Sequence, residues 1–146
     1  MNKLEAFLRP KRKANMRFVL SEEFCGEDGE AAVWEMKILS AKELCEIRNR
    51  YENRSDEDMT LALVAKSLVV PDMSDAELLK GLSQREGRTV IDPADALRTM
   101  LTAPQLYSLV ECYFKFQRVD NFREMAERQK TYKAGRRDVL FRRPRL

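Results

Sequence analysis

Two groups of closely spaced carboxylates are the residues of this chain whose types could bind a metal ion. Five carboxylates lie between Glu22 and Glu30, and Asp56, Glu57 and Asp58 are consecutive. Carboxylate oxygens are the ligands that Ca²⁺ and Mg²⁺ take in proteins. Neither group has the EF-hand spacing, in which a central glycine and a terminal glutamate complete the ligand set. The sequence therefore favours solvated acidic loops, and no metal is predicted.

Nucleophilic and redox chemistry is restricted by what the composition lacks. The chain contains no histidine, so Ser-His-Asp, Cys-His and HExxH sites are excluded. Cys25, Cys45 and Cys112 are odd in number and have no CxxC spacing, which indicates reduced thiols rather than disulfides or a zinc site. We expect Cys45 and Cys112, which lie in helical patterns, to be buried. The glycines at 26 and 29 do not form a phosphate-binding pattern, so no enzyme activity, catalytic residue or cofactor is predicted.

The charges are distributed unevenly along the chain. Residues 115–146 contain eleven Lys or Arg against four Asp or Glu, a net charge of +7, whereas residues 1–114 contain sixteen against twenty, a net charge of −4. The basic end includes Arg136, Arg137, Arg142 and Arg143. Such a segment could neutralise nucleic-acid phosphates, or it could hold an acidic protein partner. Because no nucleic-acid-binding signature accompanies it, nucleic-acid binding is kept as the alternative function.

A β-hairpin is predicted over residues 15–38. Apolar residues alternate with polar ones at Met16, Phe18 and Leu20, and again at Trp34, Met36 and Ile38. Alternation with period two is typical of strands, and the acidic stretch between the two runs contains the glycines of a connecting loop. We expect Trp34 to anchor the packing of the second strand.

Helix-capping patterns follow the hairpin. Ser40 with Glu43 forms one capping box, ahead of an apolar stripe that ends at Tyr51. A second helix is predicted from about Asp58 to Ser67, and a short extended link then leads to Pro71. The next helix is predicted to start after an N-cap at Ser74, with Glu77 completing a box, and Gly81 and Gly87 are predicted to mark its fraying end and the loop that follows.

Two further helix starts carry proline after a capping residue. Asp92-Pro93 and Thr102-Ala103-Pro104 both fit an N-cap followed by proline in the first turn. The helix after Thr102, over residues 105–117, is the richest in aromatic residues and is the predicted core helix. One helix cannot turn every face inward, so part of its apolar surface is expected to line a partner groove.

The predicted fold is mainly α with a small N-terminal β-hairpin, an α+β bundle of five to six short helices. We assign residues 1–14 to an N-terminal arm, 15–133 to a single helical domain that ends in a helix over 121–133, and 134–146 to a flexible basic tail. No run approaches the ~18 apolar residues of a membrane span, and the N-terminus lacks a signal-peptide pattern. These features predict a cytoplasmic protein that has no membrane partner.

The order of motifs between Ala32 and Val119 resembles the XkdN-like family of phage tail assembly chaperones. The resemblance lies in the segments 34–43, 65–78, 92–97 and 100–106. It implies a non-enzymatic protein of the host cytoplasm that coats the tape measure protein during tail morphogenesis. It also implies the tail tube protein as a further partner. A second copy of the chain is another candidate partner.

The predicted contact surface combines the aromatic helix with the basic tail. A compact helical body with a spare apolar face can cover an amphipathic helix of a partner. The residues assigned to this surface are Leu106, Tyr107, Val110, Phe114 and Phe116, assisted through charge by Arg136, Arg137, Arg142 and Arg143.

Overall fold

Six helices and three short strands make up the part of the chain that the computed structural model describes, residues 3–118. In chain order they are α1 (Lys3–Leu8), β1 (Met16–Phe18), β2 (Trp34–Met36), α2 (Ala41–Arg50), α3 (Asp56–Ser67), β3 (Leu68–Val70), α4 (Ala76–Glu86), α5 (Pro93–Met100) and α6 (Ala103–Gln117). The predicted fold class, mainly helical with a small sheet, is confirmed. The predicted helix over 121–133 and the basic tail lie outside the described residues.

The sheet has three antiparallel strands in the order β1-β2-β3. The predicted hairpin is present, with Met16 opposite Met36 and Phe18 opposite Trp34. Strand β3 was not predicted: residues 68–70 were expected to form an extended link, but they pair with β2. The reason is that β3 has only three residues and follows α3 directly, so no alternation distinguishes it from a connection.

Local side-chain hydrogen bonds start most of the helices where the sequence predicted. Ser40 and Glu43 form the capping box of α2, Asp92 caps α5, and Thr102 with Gln105 forms the box of α6. Helix α3 starts two residues earlier than predicted, after an N-cap at Ser55. The acidic residues 56–58 therefore occupy a first helical turn, where the helix dipole favours negative charge, rather than a loop.

Helix α4 starts one residue later than predicted and ends at Gly87, one of the two glycines predicted to mark its end. Its N-cap is Asp75 rather than Ser74, because the Asp75 carboxylate accepts hydrogen bonds from the two amides at positions 77 and 78. A carboxylate one residue nearer to the helix displaced the hydroxyl from this role. The helix also continues through Gly81 and ends at Gly87, whose φ of 69° is the left-handed conformation that favours glycine.

The main core lies between the sheet and helices α3, α5 and α6. Trp34 is buried, and its ring lies near Phe18 and Phe24, with ring centroids 6.2 Å and 5.6 Å apart. Its predicted role as a packing anchor is confirmed. Helix α3 packs against both α5 and α6. It therefore borders the core on one side and the surface beside α6 on the other.

The cysteines are less buried than predicted. Cys45 is exposed, because α2 turns Ile47 and Tyr51 inward and leaves position 45 on its outer side. Cys112 is half-buried, and burial raises the pKa of its thiol. Cys25 is exposed, as expected of a loop residue.

Candidate functional site

Helix α6 has one buried face, and this face determines which of its other residues are exposed to solvent. Its buried residues are Gln105, Leu109, Tyr113 and Phe116. Their spacing of four, four and three residues keeps them on one side of a helix with 3.6 residues per turn. The apolar residues at other positions of α6 must therefore lie at the edge of the core or on the surface.

A second apolar row runs along α6 beside the buried face. We call it the α6 stripe: Ala103, Leu106, Tyr107, Val110 and Phe114. Leu106 and Val110 are half-buried, whereas Tyr107 is 75% exposed and Phe114 is 52% exposed. The ring of Phe114 lies edge-on to that of buried Tyr113, with centroids 5.3 Å apart, so this exposed ring is held by the core beneath it.

The stripe and α3 form the walls of a shallow depression, the α3–α6 groove. Its volume is about 350 Å³. It is lined by Glu57, Thr60, Leu61, Ala103, Leu106, Tyr107 and Val110. Glu57 is the charged residue of this lining, and most of its side chain is in water. The groove is thus an apolar surface with a carboxylate at its edge.

Three of the predicted contact residues, Leu106, Tyr107 and Val110, meet in this groove, and Phe114 extends the same stripe. Phe116 does not belong to it. Phe116 is only 6% exposed and packs in the main core, so it is not available as a surface contact. The four predicted arginines of the tail lie outside the described residues.

The far side of α6 carries the chain segment that follows α1. Lys13 lies over the ring of Phe116, with its Nζ 4.4 Å from the ring centroid, and the same Nζ is 3.4 Å from the Phe116 carbonyl oxygen. A depression lined by Lys13, Met16, Cys112 and neighbouring residues of α6 marks this side. The chain therefore approaches α6 on the side opposite to the stripe.

An ionic network fixes the end of α3 that forms the groove wall. Arg98 donates a hydrogen bond to Asp58 and also lies 3.5 Å from Glu57. Arg54 bridges Asp58 and Asp92 at 3.0 Å and 2.6 Å. The sequence suggested that residues 56–58 were simply solvated, but Asp58 has two arginine partners contributed by two different parts of the chain. Their hydrogen bonds, above all that from Arg98, hold the pKa of Asp58 below its usual value.

Gln117 holds the C-terminal end of α6. Its side-chain amide donates to the carbonyl of Lys37 at 2.7 Å, and its side-chain carbonyl accepts from the amide of Leu39 at 2.9 Å. These two bonds tie α6 to the connection between β2 and α2. Nothing in the sequence indicated this contact, because its partners are about 80 residues apart. At the N-terminal end of α6, Gln105 donates a side-chain hydrogen bond to Glu23, so the stripe lies on a helix that is held at both ends.

The side chains of the α3–α6 groove are of types that suit binding. Within residues 3–118 no group of three or more Asp, Glu, Cys or His side chains is arranged to hold a metal ion. None of the helices in that range is long and apolar enough to cross a membrane. The groove offers apolar contact area, the ring of Tyr107 and the carboxylate of Glu57.

Comparison with known proteins gives a fold relationship. No protein-family model and no curated protein matches the chain. Among solved structures, the crystal structure of the protein YqbN, a structural genomics target, superposes with a TM-score of 0.62. The chain shares the fold of YqbN. The match covers 82% of this chain and 99% of YqbN at 15% sequence identity, so the likeness concerns the fold alone.

Proposed function

We propose that this protein is a phage or prophage tail assembly chaperone, which binds and shields the tape measure protein during tail morphogenesis in the bacterial cytoplasm. The observation that carries the proposal is the α6 stripe. Large apolar side chains are exposed there on a helix that is held at its first turn by the hydrogen bond from Gln105 to Glu23 and at its last residue by Gln117. The resemblance of the sequence to XkdN-like chaperones supplies the kind of partner.

The stripe has the geometry that a helical partner requires. Its residues recur at intervals of three and four from position 103 to position 114, and at about 1.5 Å per residue they span roughly 16 Å, or three helical turns. An amphipathic helix presents its own apolar residues at the same intervals, so the two rows can pack side by side. A tape measure protein is long and helical, and such pairing would cover its apolar surface before the tail tube assembles around it.

The test is co-expression with the tape measure protein that the proposal expects to be encoded next to this chain, followed by affinity capture. We expect the wild-type protein to recover the partner and the Tyr107→Ala, Phe114→Ala double variant to recover much less. Truncating these two exposed rings removes the largest contact area of the stripe, and aromatic residues often dominate the binding energy of an interface. Circular dichroism of the double variant should remain that of the folded wild type, because neither ring is in the core.

A matched control replaces two exposed apolar residues elsewhere. Val33→Ala, Ile91→Ala removes comparable exposed side chains outside the groove and should leave capture unchanged. Equal recovery by wild type and by the Tyr107, Phe114 double variant would remove the stripe as the binding surface. Failure of the wild type itself to recover the tape measure protein would contradict the proposed function.

A further inference from the structure

We infer that the arm of one copy of this chain docks into the α3–α6 groove of a second copy. Here the arm means residues 3–13 of the predicted N-terminal arm (1–14), which comprise α1 and the link to Lys13. The inference concerns self-association and does not depend on the tape measure protein. It rests on an apolar helix face, a groove on the same chain, their charges and the reach of the link between them.

Helix α1 presents apolar residues to solvent. Leu4, Phe7 and Leu8 have the i, i+3, i+4 spacing that places side chains on one helix face. All residues of α1 are exposed, and Phe7 is 82% exposed. A short helix with such a face gains its stability from packing against another surface, because so few residues do not form a stable helix in water by themselves.

The arm and the rest of the described chain have opposite charges. Residues 3–13 contain five Lys or Arg and one Glu, a net charge of +4, whereas residues 14–118 contain thirteen basic and nineteen acidic residues, a net charge of −6. At the groove, Glu57 is the carboxylate of the lining. The basic residues of the arm would thus meet a carboxylate at the edge of an apolar centre, which favours association and its orientation.

In the structure the arm does not lie in the groove of its own chain, since α1 is exposed and the link from Lys13 is too short to bring Leu8 to Tyr107. Phe116, where Lys13 is held, and Tyr107 are nine residues apart, which is 2.5 turns and therefore opposite sides of α6. Half the circumference of a helix about 10–12 Å wide, combined with an axial rise of about 13 Å, gives a path of roughly 22 Å. Five residues from Leu8 to Lys13 span at most about 18 Å. A second copy has no such restriction.

Reciprocal exchange gives a closed assembly. If two copies each place an arm in the other's groove, the contact is the same on both sides and a dimer related by a twofold axis results. Each arm contributes only three apolar side chains, so the interface belongs to the small class of weak and reversible associations. In the dimer each groove is covered by the partner's arm. Dissociation of the dimer exposes the groove to another ligand.

Disulfide cross-linking between differently tagged chains tests this arrangement. The native thiols are removed by Cys25→Ser, Cys45→Ser and Cys112→Ala. One chain then carries Phe7→Cys and the other carries Tyr107→Cys. The control pair replaces Tyr107→Cys by Ile91→Cys, since Ile91 is equally exposed but lies outside the groove lining. We expect several-fold more disulfide between the two tags in the first pair than in the control pair.

Sedimentation of the full chain provides the second measurement. We expect a concentration-dependent dimer for the wild type, a shift to monomer for Leu8→Asp, and no shift for Ile91→Asp. Equal cross-linking of the two pairs would overturn the inference, as would a monomeric wild type or a Leu8→Asp variant that still dimerises. If the protein is monomeric and still captures the tape measure protein, only this inference is rejected. If it dimerises and captures nothing, only the proposed function is rejected.

Discussion

The hydroxyl of Tyr51, at the end of α2, donates a 2.6 Å hydrogen bond to the carboxylate of Asp92, the residue that caps α5. The same carboxylate accepts from the amide of Ala94 at 3.0 Å and from Arg54 at 2.6 Å. Burial alone would raise the pKa of Asp92, but the hydrogen bonds from Tyr51 and Arg54 outweigh it and hold that pKa below its usual value. One carboxylate therefore joins α2, the turn after it and α5.

We predict that Tyr51→Phe lowers the free energy of unfolding by about 1–2 kcal/mol. The variant keeps the buried ring but removes a hydrogen bond to a charged group, and bonds of that kind contribute about this much. Urea denaturation followed by circular dichroism measures the change. Tyr107→Phe is the matched control, because its hydroxyl belongs to an exposed ring, and it should stay within about 0.5 kcal/mol of wild type. Equal stability of Tyr51→Phe and wild type would show that the bond contributes nothing.

The same hydroxyl predicts a loss of stability at alkaline pH. Burial, together with the hydrogen bond to Asp92, raises the pKa of Tyr51 to about 12, against 10 for an ordinary tyrosine. Above pH 10 the unfolded chain releases this proton while the folded chain keeps it, so the folded state loses stability as the pH rises. The loss from this group should reach about 1 kcal/mol by pH 11. Urea midpoints between pH 8 and pH 11 should fall less steeply in Tyr51→Phe, and parallel pH profiles would argue against the raised pKa.

Truncating the two phenylalanines near the end of α6 should lower the stability of the protein to different extents. Phe116→Ala should cost about 3–4 kcal/mol, since it leaves a cavity in the main core. Phe114→Ala should cost less than about 1 kcal/mol, because half of its side chain is already in water. Partner capture should show the reverse order once folding is accounted for, with Phe114→Ala weakening it. Comparable destabilisation by both substitutions would mean that the α6 stripe is packed rather than exposed.

The salt dependence of binding separates the proposed function from its alternative. Phosphate binding by Arg136, Arg137, Arg142 and Arg143 would lose orders of magnitude in affinity between about 50 and 200 mM salt, whereas an apolar contact changes little. We expect capture of the tape measure protein to persist over this range, and to be weakened only modestly when these four arginines are replaced by alanine, since they assist the apolar contact through charge. Steep salt sensitivity together with loss of binding in the four-arginine variant would favour nucleic-acid binding.

The sequence predicted those features that depend on residues close together in the chain. The caps at Ser40, Asp92 and Thr102 are of this kind, because the capping side chain and the amides it satisfies are two or three residues apart. The alternation around Trp34 likewise predicted the hairpin, since period two is a property of a strand itself. Where two capping side chains are adjacent, the predicted cap, Ser74, was wrong and Asp75 caps the helix, because the local pattern suits either residue.

Features that depend on distant contacts were decided only by the tertiary structure. The sequence shows that α6 has more apolar residues than one face can bury. Which of them are buried depends on the packing of α3, α5 and the segment at Lys13 against this helix. As a result Phe116 is covered, whereas Tyr107 and Phe114 are exposed. The pairing of β3, the two arginines on Asp58 and the hydrogen bonds of Gln117 have the same origin. Burial of a helix face is a property of what packs against it, and helical periodicity specifies which residues share a face without specifying which face meets a neighbour.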